Sequence, residues 1–451
     1  MTGKKITASK IFQQKFGADA LREIYTSKVS LSRAVGVDGV KTEAFRKTLD
    51  EEISLISRKA ISNTYNFSPY REKLISKGRD SFPRVISVPT IRDRLTLRAL
   101  SEVLAAVFPE AQTYRPHVYI RDIRKTLNEQ DGDDLHFLRM DIRSYYDKIN
   151  HELLLKRLYT RVRKSEIRQL IRMAVETPTG RTRKDGKKND VGVPQGLSVS
   201  NILAGLFLQN LDRKYKCQAL YFRYVDDLLI ICNSEKEARD YYSKIKKSLS
   251  DVKLETHELD FEKKKSYIAT LDAGVEYLGY HISKKQTIVR DQSLRRMYTN
   301  LLRVFTQRKY RGREPRFLWR LNLKITGCVF EEKRLGWVFF FSQISHIHQL
   351  RQLDLFIEKQ FNKREMDHLL GRNKSFVKSF HEIKYNLINT SYIPNFDKYT
   401  IEMMIKDLSL IHDKDEAVIR QFSDYEIEQQ FYRLIRRETA ELEEDLFEHF
   451  S

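Results

Sequence analysis

The sequence predicts an α+β fold, in which an antiparallel sheet backed by helices precedes a mostly helical C-terminal region. Residues 82–89 and 135–142 have the pattern of short strands, and residues 220–231 fit two strands that meet at a tight turn. Segments with helical periodicity separate these strands, and beyond about residue 290 the pattern is mostly helical. Strands and helices in this order are typical of an antiparallel sheet covered by helices.

Each predicted element follows from a local pattern. The strand at 82–89 alternates and is bounded by prolines, whereas the helices have apolar residues every three to four positions. Asn150 directly precedes one helix and is expected to cap it. In chain order, the sequence predicts helices at 40–62, 92–108, 150–164 and 198–215, strands at 82–89, 135–142 and 220–231, and a hairpin at 274–283.

The net charge is high and unevenly distributed. The 451 residues carry a formal charge of +21, but residues 411–451 contain 12 acidic and 5 basic residues, which leaves +28 on residues 1–410. A body this basic attracts a polyanion, and nucleic acid is the expected partner; the alternative is that the charge only keeps the protein soluble. The acidic end is expected to be a solvated helix face. Alternatively, it packs against a basic surface of another subunit or keeps nucleic acid away from part of the body.

The composition argues against several protein classes. No apolar run approaches the ~18–20 residues of a membrane span, and the N-terminal segment lacks the apolar core of a signal peptide. Cys217, Cys232 and Cys328 stand apart, so neither a disulfide framework nor a zinc site is indicated. With 41% hydrophobic residues and few prolines and glycines, the chain is expected to form a sizeable core and to be cytoplasmic.

Two adjacent carboxylates interrupt an apolar run at residues 221–232. Asp226 and Asp227 repel each other at the tip of a hairpin unless a cation is bound there. Asp141 lies near the end of the strand at 135–142, which could be a neighbour in the same sheet. Mg²⁺ prefers such oxygen ligands, and two ions about 3.5–4 Å apart support in-line phosphoryl transfer. The pattern therefore predicts a metal site; the alternative is a turn or a solvated edge.

Four segments, in order, resemble the reverse transcriptase family in its bacterial branch, with a palm like those of group II introns and retrons. They are "VGVDGV" (35–40), "MDIRSYYDKI" (140–149), "GVPQGLSVS" (192–200) and "FRYVDD" (222–227). The resemblance implies a right-hand polymerase fold and RNA-directed DNA synthesis. The implied domains are an N-terminal extension and fingers (1–130), a palm (131–285) that includes finger–palm elements (155–195), a helical thumb (286–365) and a helical C-terminal extension (366–451).

The resemblance also implies the catalytic residues. Asp141, Asp226 and Asp227 match the family's metal ligands, with Asp227 the less direct one. The backbone carbonyl of Ile142 is expected to contact a metal as well. The implied cofactor is Mg²⁺, as two ions, with Mn²⁺ as a possible substitute.

Other residues are implied to bind the nucleotide or the template and primer. Lys77 and Arg84 match cationic fingers residues that contact the triphosphate, although Arg79 is a rival for Lys77. Gln195 is expected to contact the nucleotide or the template base. Gly192 and Gly196 would let the backbone approach nucleic acid closely. The implied template–primer residues are Gly192, Pro194, Gly196 and Tyr224, and the basic loop at 181–189 is expected to follow a nucleic-acid backbone unless it is only a solvated hairpin.

Two further nucleotide contacts leave alternatives open. Tyr146 matches the family's aromatic residue under the sugar, where a ring would clash with a 2′-hydroxyl and select deoxynucleotides. The alternative is a core aromatic beside Tyr145. Lys265 matches a general acid for pyrophosphate departure, with Lys263 and Lys264 as rivals.

The resemblance narrows the class further. Residues 325–354 are similar to the thumb-side segment of defence-associated and abortive-infection reverse transcriptases, and neither an RNase H pattern nor a His/Cys nuclease cluster follows residue 365. This implies an antiphage enzyme whose partners are dNTPs, a DNA product and a structured noncoding RNA, with an oligomer or accessory protein as a further possibility. The alternatives are template-independent or protein-primed synthesis by the same site, and a non-catalytic, maturase-like RNA-binding protein.

Overall fold

A computed structural model of the protein describes residues 7–30, 32, 34–75, 83–130, 134–180, 189–307 and 314–447. Lys77, its rival Arg79, and residues 181–188 of the basic loop lie outside the described residues. The chain forms two compact units, Met1–Tyr114 with Gly132–Thr270, and Arg115–Asp131 with Leu271–Ser451.

The helices and strands are as follows. The α-helices are α1 (Ala8–Lys15), α2 (Ala18–Ile24), α3 (Thr42–Lys47), α4 (Leu49–Ile61), α5 (Ile91–Val107), α6 (Pro116–Asn128), α7 (Tyr145–Lys148), α8 (His151–Leu158), α9 (Ser165–Glu176), α10 (Ser200–Phe207), α11 (Gln209–Lys216), α12 (Glu235–Ser250), α13 (Asp291–Thr306), α14 (Glu314–Thr326), α15 (Trp337–Phe340), α16 (His348–Asn362), α17 (Phe376–Tyr385), α18 (Ile401–His412), α19 (Glu416–Ile419) and α20 (Asp424–Phe447). The strands are β1 (Arg71–Ile75), β2 (Arg84–Val88), β3 (His136–Asp141), β4 (Leu220–Tyr224), β5 (Asp227–Cys232), β6 (Tyr267–Thr270), β7 (Val275–Tyr277), β8 (Tyr280–Ile282), β9 (Thr287–Val289), β10 (Cys328–Phe330) and β11 (Lys333–Leu335). A π-helical turn spans Tyr25–Val29, and 3₁₀ turns span Pro109–Ala111, Asp367–Leu369 and Phe396–Lys398.

The first unit is built around an antiparallel sheet with the strand order β4–β5–β3–β6. Leu228 and Ile230 of β5 lie in the core together with the apolar face of α12, whereas Leu229 and Ile231 are buried on the opposite face of the sheet. Fully burying such a side chain contributes about 1.5–3 kcal/mol. The central strand is thus fixed from both sides, and the predicted α+β class with an antiparallel palm sheet is confirmed.

Most predicted elements are present, but two predicted helices are each divided in two. The segment at 40–62 is interrupted at Thr48, and the segment at 198–215 is interrupted at Leu208, where the backbone leaves the helical region. Periodicity does not reveal such breaks, because the apolar stripe continues across them. The helix that begins after Asn150 is capped as predicted: its side chain accepts from the Leu153 N–H at 3.0 Å.

The second unit contains a three-stranded sheet, β7–β8–β9, and most of the later helices. The predicted hairpin at 274–283 is present, and β9 and the hairpin β10–β11 were not predicted. The division between the units falls after Thr270, whereas the palm was expected to end at 285. Helix α6, expected in the fingers, belongs to this unit, where Arg124 donates to the Ser283 carbonyl at 3.2 Å.

The acidic end differs from its expectation as a purely solvated face. Helix α20 buries Glu438, which receives an ion pair from Arg320 of α14 at 2.8 Å, and Arg320 also pairs with Glu441. A buried acid requires such a partner. Part of the acidic segment therefore packs within its own chain. Within the described ranges, no helix has the length and apolar character needed to cross a membrane.

Candidate active site

Three acidic residues meet at one end of the first unit's sheet. Strand β3 ends at Asp141 directly opposite Asp227, the first residue of β5. Because Tyr224 also pairs with Asp227, the loop between β4 and β5 consists of only Val225 and Asp226. The predicted tight turn is therefore confirmed, and it places Asp226 beside the other two acids.

The turn holds a strained residue. Val225 has φ of 57°, a region that β-branched residues rarely adopt and that costs about 1–3 kcal/mol. Hydrogen bonds from outside the loop stabilise it. Arg223 donates to the Val225 carbonyl at 2.8 Å, and the Ile142 N–H donates to the Asp226 carbonyl at 3.1 Å. The backbone of Ile142 thus lies against the loop.

Arg223 is itself buried and paired. Its Nε donates to Asp212 Oδ1 at 2.7 Å, and the Tyr221 hydroxyl donates to the same carboxylate at 2.9 Å. Sequence reasoning missed this support. The feature of the sequence that could have indicated this support is the arginine two residues before Val225, in a strand that is otherwise aromatic and apolar.

Asp227 is bound by a second arginine that sequence reasoning missed. Arg139 donates from Nε and Nη2 to the two oxygens of Asp227 at 3.0 and 2.9 Å, and both side chains are largely buried. Burial raises the pKa of Asp227 and Arg139 limits that rise; burial alone would lower the pKa of Arg139, but Asp227 raises it overall. Arg139 stands two residues before Asp141, hence on the same face of β3.

Asp226 is electrostatically strained in the absence of a cation. Burial, together with the charges of Asp141 and Asp227, raises the pKa of Asp226 to about 6, although Lys265 acts in the opposite direction. The charged form is therefore disfavoured unless additional positive charge arrives.

Two basic side chains flank Asp141. Lys265 Nζ lies 3.6 Å from its Oδ2, and His257 Nε2 lies 3.4 Å from its Oδ1. The rival Lys263 instead pairs with Asp260 at 3.0 Å. Burial lowers the pKa of His257, with Arg143 and Lys265 acting in the same direction. His257 was not predicted, since a single histidine in a polar segment gives no signal.

The donor set fits a magnesium ion. Within the part of the chain that the structure describes, no three His, Cys, Asp or Glu side chains already form a metal cage. Since Arg139 binds both oxygens of Asp227 at 2.9–3.0 Å, the better candidates for an ion are Asp226 and Asp141, whose basic neighbours Lys265 and His257 lie farther away, at 3.6 and 3.4 Å. Two carboxylates suit Mg²⁺, which retains water and substrate phosphate as its other ligands. An added cation would stabilise the charged form of Asp226, which burial and the neighbouring acids disfavour.

The structure separates the two adjacent tyrosines. Tyr145 is the core residue, fully buried, with its hydroxyl donating to the Ala204 carbonyl at 2.5 Å. Tyr146 is only partly buried and donates to Asn201 Oδ1 at 2.8 Å. Burial raises the pKa of Tyr146, and the charge of Asp226 raises it further, so this ring lies beside the acids. Tyr224 also raises the pKa of Tyr146, whereas the charge of Arg84 lowers it.

The loop that contains Gln195 joins this tyrosine to the strand that carries Arg84. The Val193 N–H donates to the Tyr146 carbonyl at 2.7 Å, and the Ser87 N–H of β2 donates to the Gln195 carbonyl at 2.7 Å. The Gln195 side chain donates to Asp147 at 3.4 Å. Gln195 is thus brought to the site through its backbone.

Gly192 and Gly196 are tightly packed within the protein itself. Their φ angles are 92° and 100°. A Cβ on Gly192 would lie 3.1 Å from the Asp147 carbonyl oxygen, and one on Gly196 would lie 2.7 Å from the Ile86 side chain. The protein's own packing thus favours glycine at both positions, in addition to the expected approach of nucleic acid, which stays a prediction. Between them, the Pro194 carbonyl accepts from the Ser200 hydroxyl at 2.6 Å.

Comparison with known proteins identifies the segment that holds this site. Residues 75–282 match the family model described as "Reverse transcriptase (RNA-dependent DNA polymerase)". This segment is therefore similar to a reverse transcriptase domain. It includes the three acids, Tyr146 and Gln195.

Two curated relatives each match a little under half of the chain. Protein YkfC of Escherichia coli is 25% identical over 228 residues, covering 48% of this chain and 57% of that protein. The group II intron-encoded protein LtrA of Lactococcus lactis is 23% identical over 199 residues, covering 43% of this chain and 32% of LtrA. The chain thus matches about half of one relative and a third of the other. Apo telomerase from Candida tropicalis has a TM-score of 0.45 at 13% identity, covering 85% of this chain and 68% of the telomerase, which is too distant to support an argument.

Proposed function

We propose that the protein is an RNA-directed DNA polymerase that extends a primer by two-metal nucleotidyl transfer. The observation that carries this proposal is the position of Asp226. It lies in a strained two-residue loop beside Asp141, inside the segment that is similar to a reverse transcriptase domain, and its pKa is raised to about 6. A protein that did not use a cation there would gain stability by replacing this acid.

Asp141 and Asp226 would hold the metal, with the Ile142 backbone carbonyl as a further ligand and Asp227 retained by Arg139 as a supporting charge. When bound, Mg²⁺ would activate a primer hydroxyl and neutralise charge on the triphosphate. The residues of the chain perform the remaining tasks. Arg84, whose charge lowers the pKa of Tyr146, would bind triphosphate oxygens.

Three residues complete the proposed nucleotide site. Lys265, 3.6 Å from Asp141, would donate a proton to the departing pyrophosphate. Tyr146 would lie under the sugar and exclude a 2′-hydroxyl. Gln195, whose carbonyl is bonded to β2, would contact the nucleotide or the template base. Gly192, Pro194, Gly196 and Tyr224 would line the adjoining path of template and primer.

Primer extension on a defined RNA template tests this function. We expect dNTP-dependent extension that requires Mg²⁺ and that falls by at least 100-fold in Asp226→Asn, because one ligand charge is lost. The matched control is Asp240→Asn, which changes an exposed acid on α12 and is expected to retain activity. Synthesis that survives Asp226→Asn contradicts the catalytic assignment. Products without complementarity to the template would instead support template-independent synthesis by the same site.

We further propose that the enzyme works with a structured noncoding RNA in bacterial antiphage defence. Two features support this: residues 325–354 resemble the thumb-side segment of defence-associated enzymes, and residues 1–410 carry +28. RNA that copurifies with the protein should be one abundant species when sequenced. A particle free of nucleic acid contradicts the RNA partner. Phage should form fewer plaques on cells with the wild-type protein or Asp240→Asn than on cells with Asp226→Asn, and equal plaque counts contradict the defence role.

A further inference from the structure

Helix α10 holds both tyrosines of the site, but by two different kinds of contact. Tyr145 donates to the backbone carbonyl of Ala204, a contact that any residue at position 204 would supply. Tyr146 donates to the side chain of Asn201, a contact that depends on the identity of that residue. Asn201 and Ala204 are three positions apart and hence on one face of the helix.

The position of Asn201 is fixed by a closed set of hydrogen bonds. The adjacent Ser200 is buried, and its hydroxyl donates to the Pro194 carbonyl at 2.6 Å. The neighbouring Val193 N–H donates to the Tyr146 carbonyl at 2.7 Å. Asn201 completes the set by accepting from the Tyr146 hydroxyl at 2.8 Å. Tyr146 is therefore anchored at its backbone and at its hydroxyl.

We infer that Asn201 is a positioning residue for sugar selection, which fixes the ring of Tyr146 where a ribonucleotide 2′-hydroxyl would need to fit. The inference rests on the proposed polymerase function and goes beyond it in naming what holds the selective ring. A tyrosine ring turns about two side-chain torsions, and the ring of Tyr146 is only partly enclosed. Without an acceptor for its hydroxyl, the ring gains freedom to tilt, and room opens beside the sugar.

The first test compares dATP with ATP on a uridine template. In Asn201→Leu, a change of similar size that removes the acceptor, the ratio of kcat/KM for dATP over ATP should fall about three- to tenfold, the value of one hydrogen bond. Asn201→Asp keeps an acceptor oxygen and should retain most of the wild-type ratio. Any effect of its added charge on the triphosphate applies to both substrates and cancels in the ratio.

A double-mutant cycle establishes whether Asn201 acts through Tyr146. Tyr146→Phe keeps the ring and removes only the hydroxyl, so it should lower the ratio about as much as Asn201→Leu. The double variant should be no less selective than either single variant, because both changes break the same bond. Additive losses contradict the inference.

The matched control is Gln209→Leu on α11, which removes a different amide hydrogen bond, that to Glu110 at 2.6 Å. Its ratio should equal that of the wild type. If Asn201→Leu lowers the rates with dATP and ATP equally, Asn201 is only structural and the inference is wrong. Equilibrium binding of dATP against ATP in a Ca²⁺ buffer gives a second readout without turnover. If the wild-type protein binds dATP and ATP equally, the inference is wrong. If the protein prefers dATP in binding but does not extend a primer, only the proposed polymerase function is wrong.

Discussion

The hairpins β4–β5 and β7–β8 both close with a two-residue loop, but they place different residues in it. The loop of β7–β8 is Leu278–Gly279, with φ of 49° and 84°. The loop of β4–β5 is Val225–Asp226, with φ of 57° at Val225. Glycine adopts such angles without strain, whereas a β-branched residue does not.

Both loops accept a backbone hydrogen bond from outside, since the Arg290 N–H donates to the Gly279 carbonyl at 3.0 Å, but the two turns differ in the residues that support them. The loop of β7–β8 contains a glycine suited to the turn. The loop of β4–β5 depends on partners elsewhere in the unit, chiefly the pair of Arg223 and Asp212 and the N–H of Ile142. The β4–β5 turn is thus locally less stable than a turn with glycine, and it carries Asp226 at its tip.

The largest expected effect on the unfolding free energy comes from replacing Arg223, which supports the β4–β5 loop from outside. Arg223→Met should lower the free energy of unfolding by about 3–5 kcal/mol, because the partly buried Asp212 loses its ion-pair partner and keeps only the Tyr221 hydroxyl. Chemical denaturation of the metal-free protein measures this. The control is Lys246→Ala, which breaks an exposed pair with Glu258 and should leave the unfolding free energy nearly unchanged. Equal effects of the two changes would mean that the catalytic hairpin does not depend on the buried pair.

The second predicted effect is a pH-dependent change in the unfolding free energy when Asp226, at the tip of the β4–β5 turn, is replaced. Folding raises the pKa of Asp226 to about 6, so the folded state binds more protons than the unfolded state between about pH 4 and pH 6. Stability from this group is lost as the pH rises through that window. In EDTA, Asp226→Asn should therefore raise the unfolding free energy by about 2–3 kcal/mol at pH 7.5, and by much less at pH 4.

Denaturation curves of Asp226→Asn and the wild type at both pH values measure this difference. The control Asp240→Asn should show no pH-dependent gain, because Asp240 is exposed. A gain of the same size at pH 4 and pH 7.5 would contradict the electrostatic origin of the strain.

The third prediction concerns a substitution that introduces backbone strain, like that of the β4–β5 turn, into the β7–β8 turn. Gly279→Val should lower the unfolding free energy by about 1–2 kcal/mol, because a β-branched residue would then occupy φ of 84°, although the Arg290 N–H still donates to the carbonyl at this position. Thermal and chemical denaturation measure the change. Leu278→Ala is the comparison within the same loop, since it shortens a side chain without altering the need for glycine. No loss in Gly279→Val would show that this turn tolerates strain as well as the catalytic one.

The smallest effect is expected from the reverse change. Val225→Gly relieves backbone strain but also removes side-chain contacts and adds freedom to the unfolded chain, so the net change in unfolding free energy should stay below about 1 kcal/mol. Primer extension should nevertheless fall, because Asp226 is held less rigidly. Full activity in Val225→Gly would show that the rigidity of the turn is dispensable.

The residues that sequence reasoning found and those it missed differ in a physical way. Asp226, Asp227 and Asp141 were recognisable because acids inside apolar strands are conspicuous and their spacing matches a family pattern. Arg139 and Asn201 gave no such signal. Their roles depend on strand register and on how a helix packs, which are set by contacts between distant parts of the chain.

The same limit applies to the fold. The strands and the tight turn followed from local alternation, and the N-cap at Asn150 followed from residue type. The helix breaks at Thr48 and Leu208 did not, because tertiary packing decides them. The ion pair of Glu438 with Arg320 was likewise invisible, since these residues lie more than a hundred positions apart in the sequence.

The packing of Gly196 has a consequence for selection on this gene. A side chain at that position would collide with Ile86 and approach the Ser87 carbonyl, whether or not the protein ever meets a nucleotide. A lineage that lost the proposed DNA synthesis but kept its fold would still be under selection to retain this glycine, whereas substitutions of Asp226 would be tolerated and would raise stability. In related sequences, a glycine at this position therefore indicates a retained fold, whereas an aspartate at the position of Asp226 indicates a functional active site.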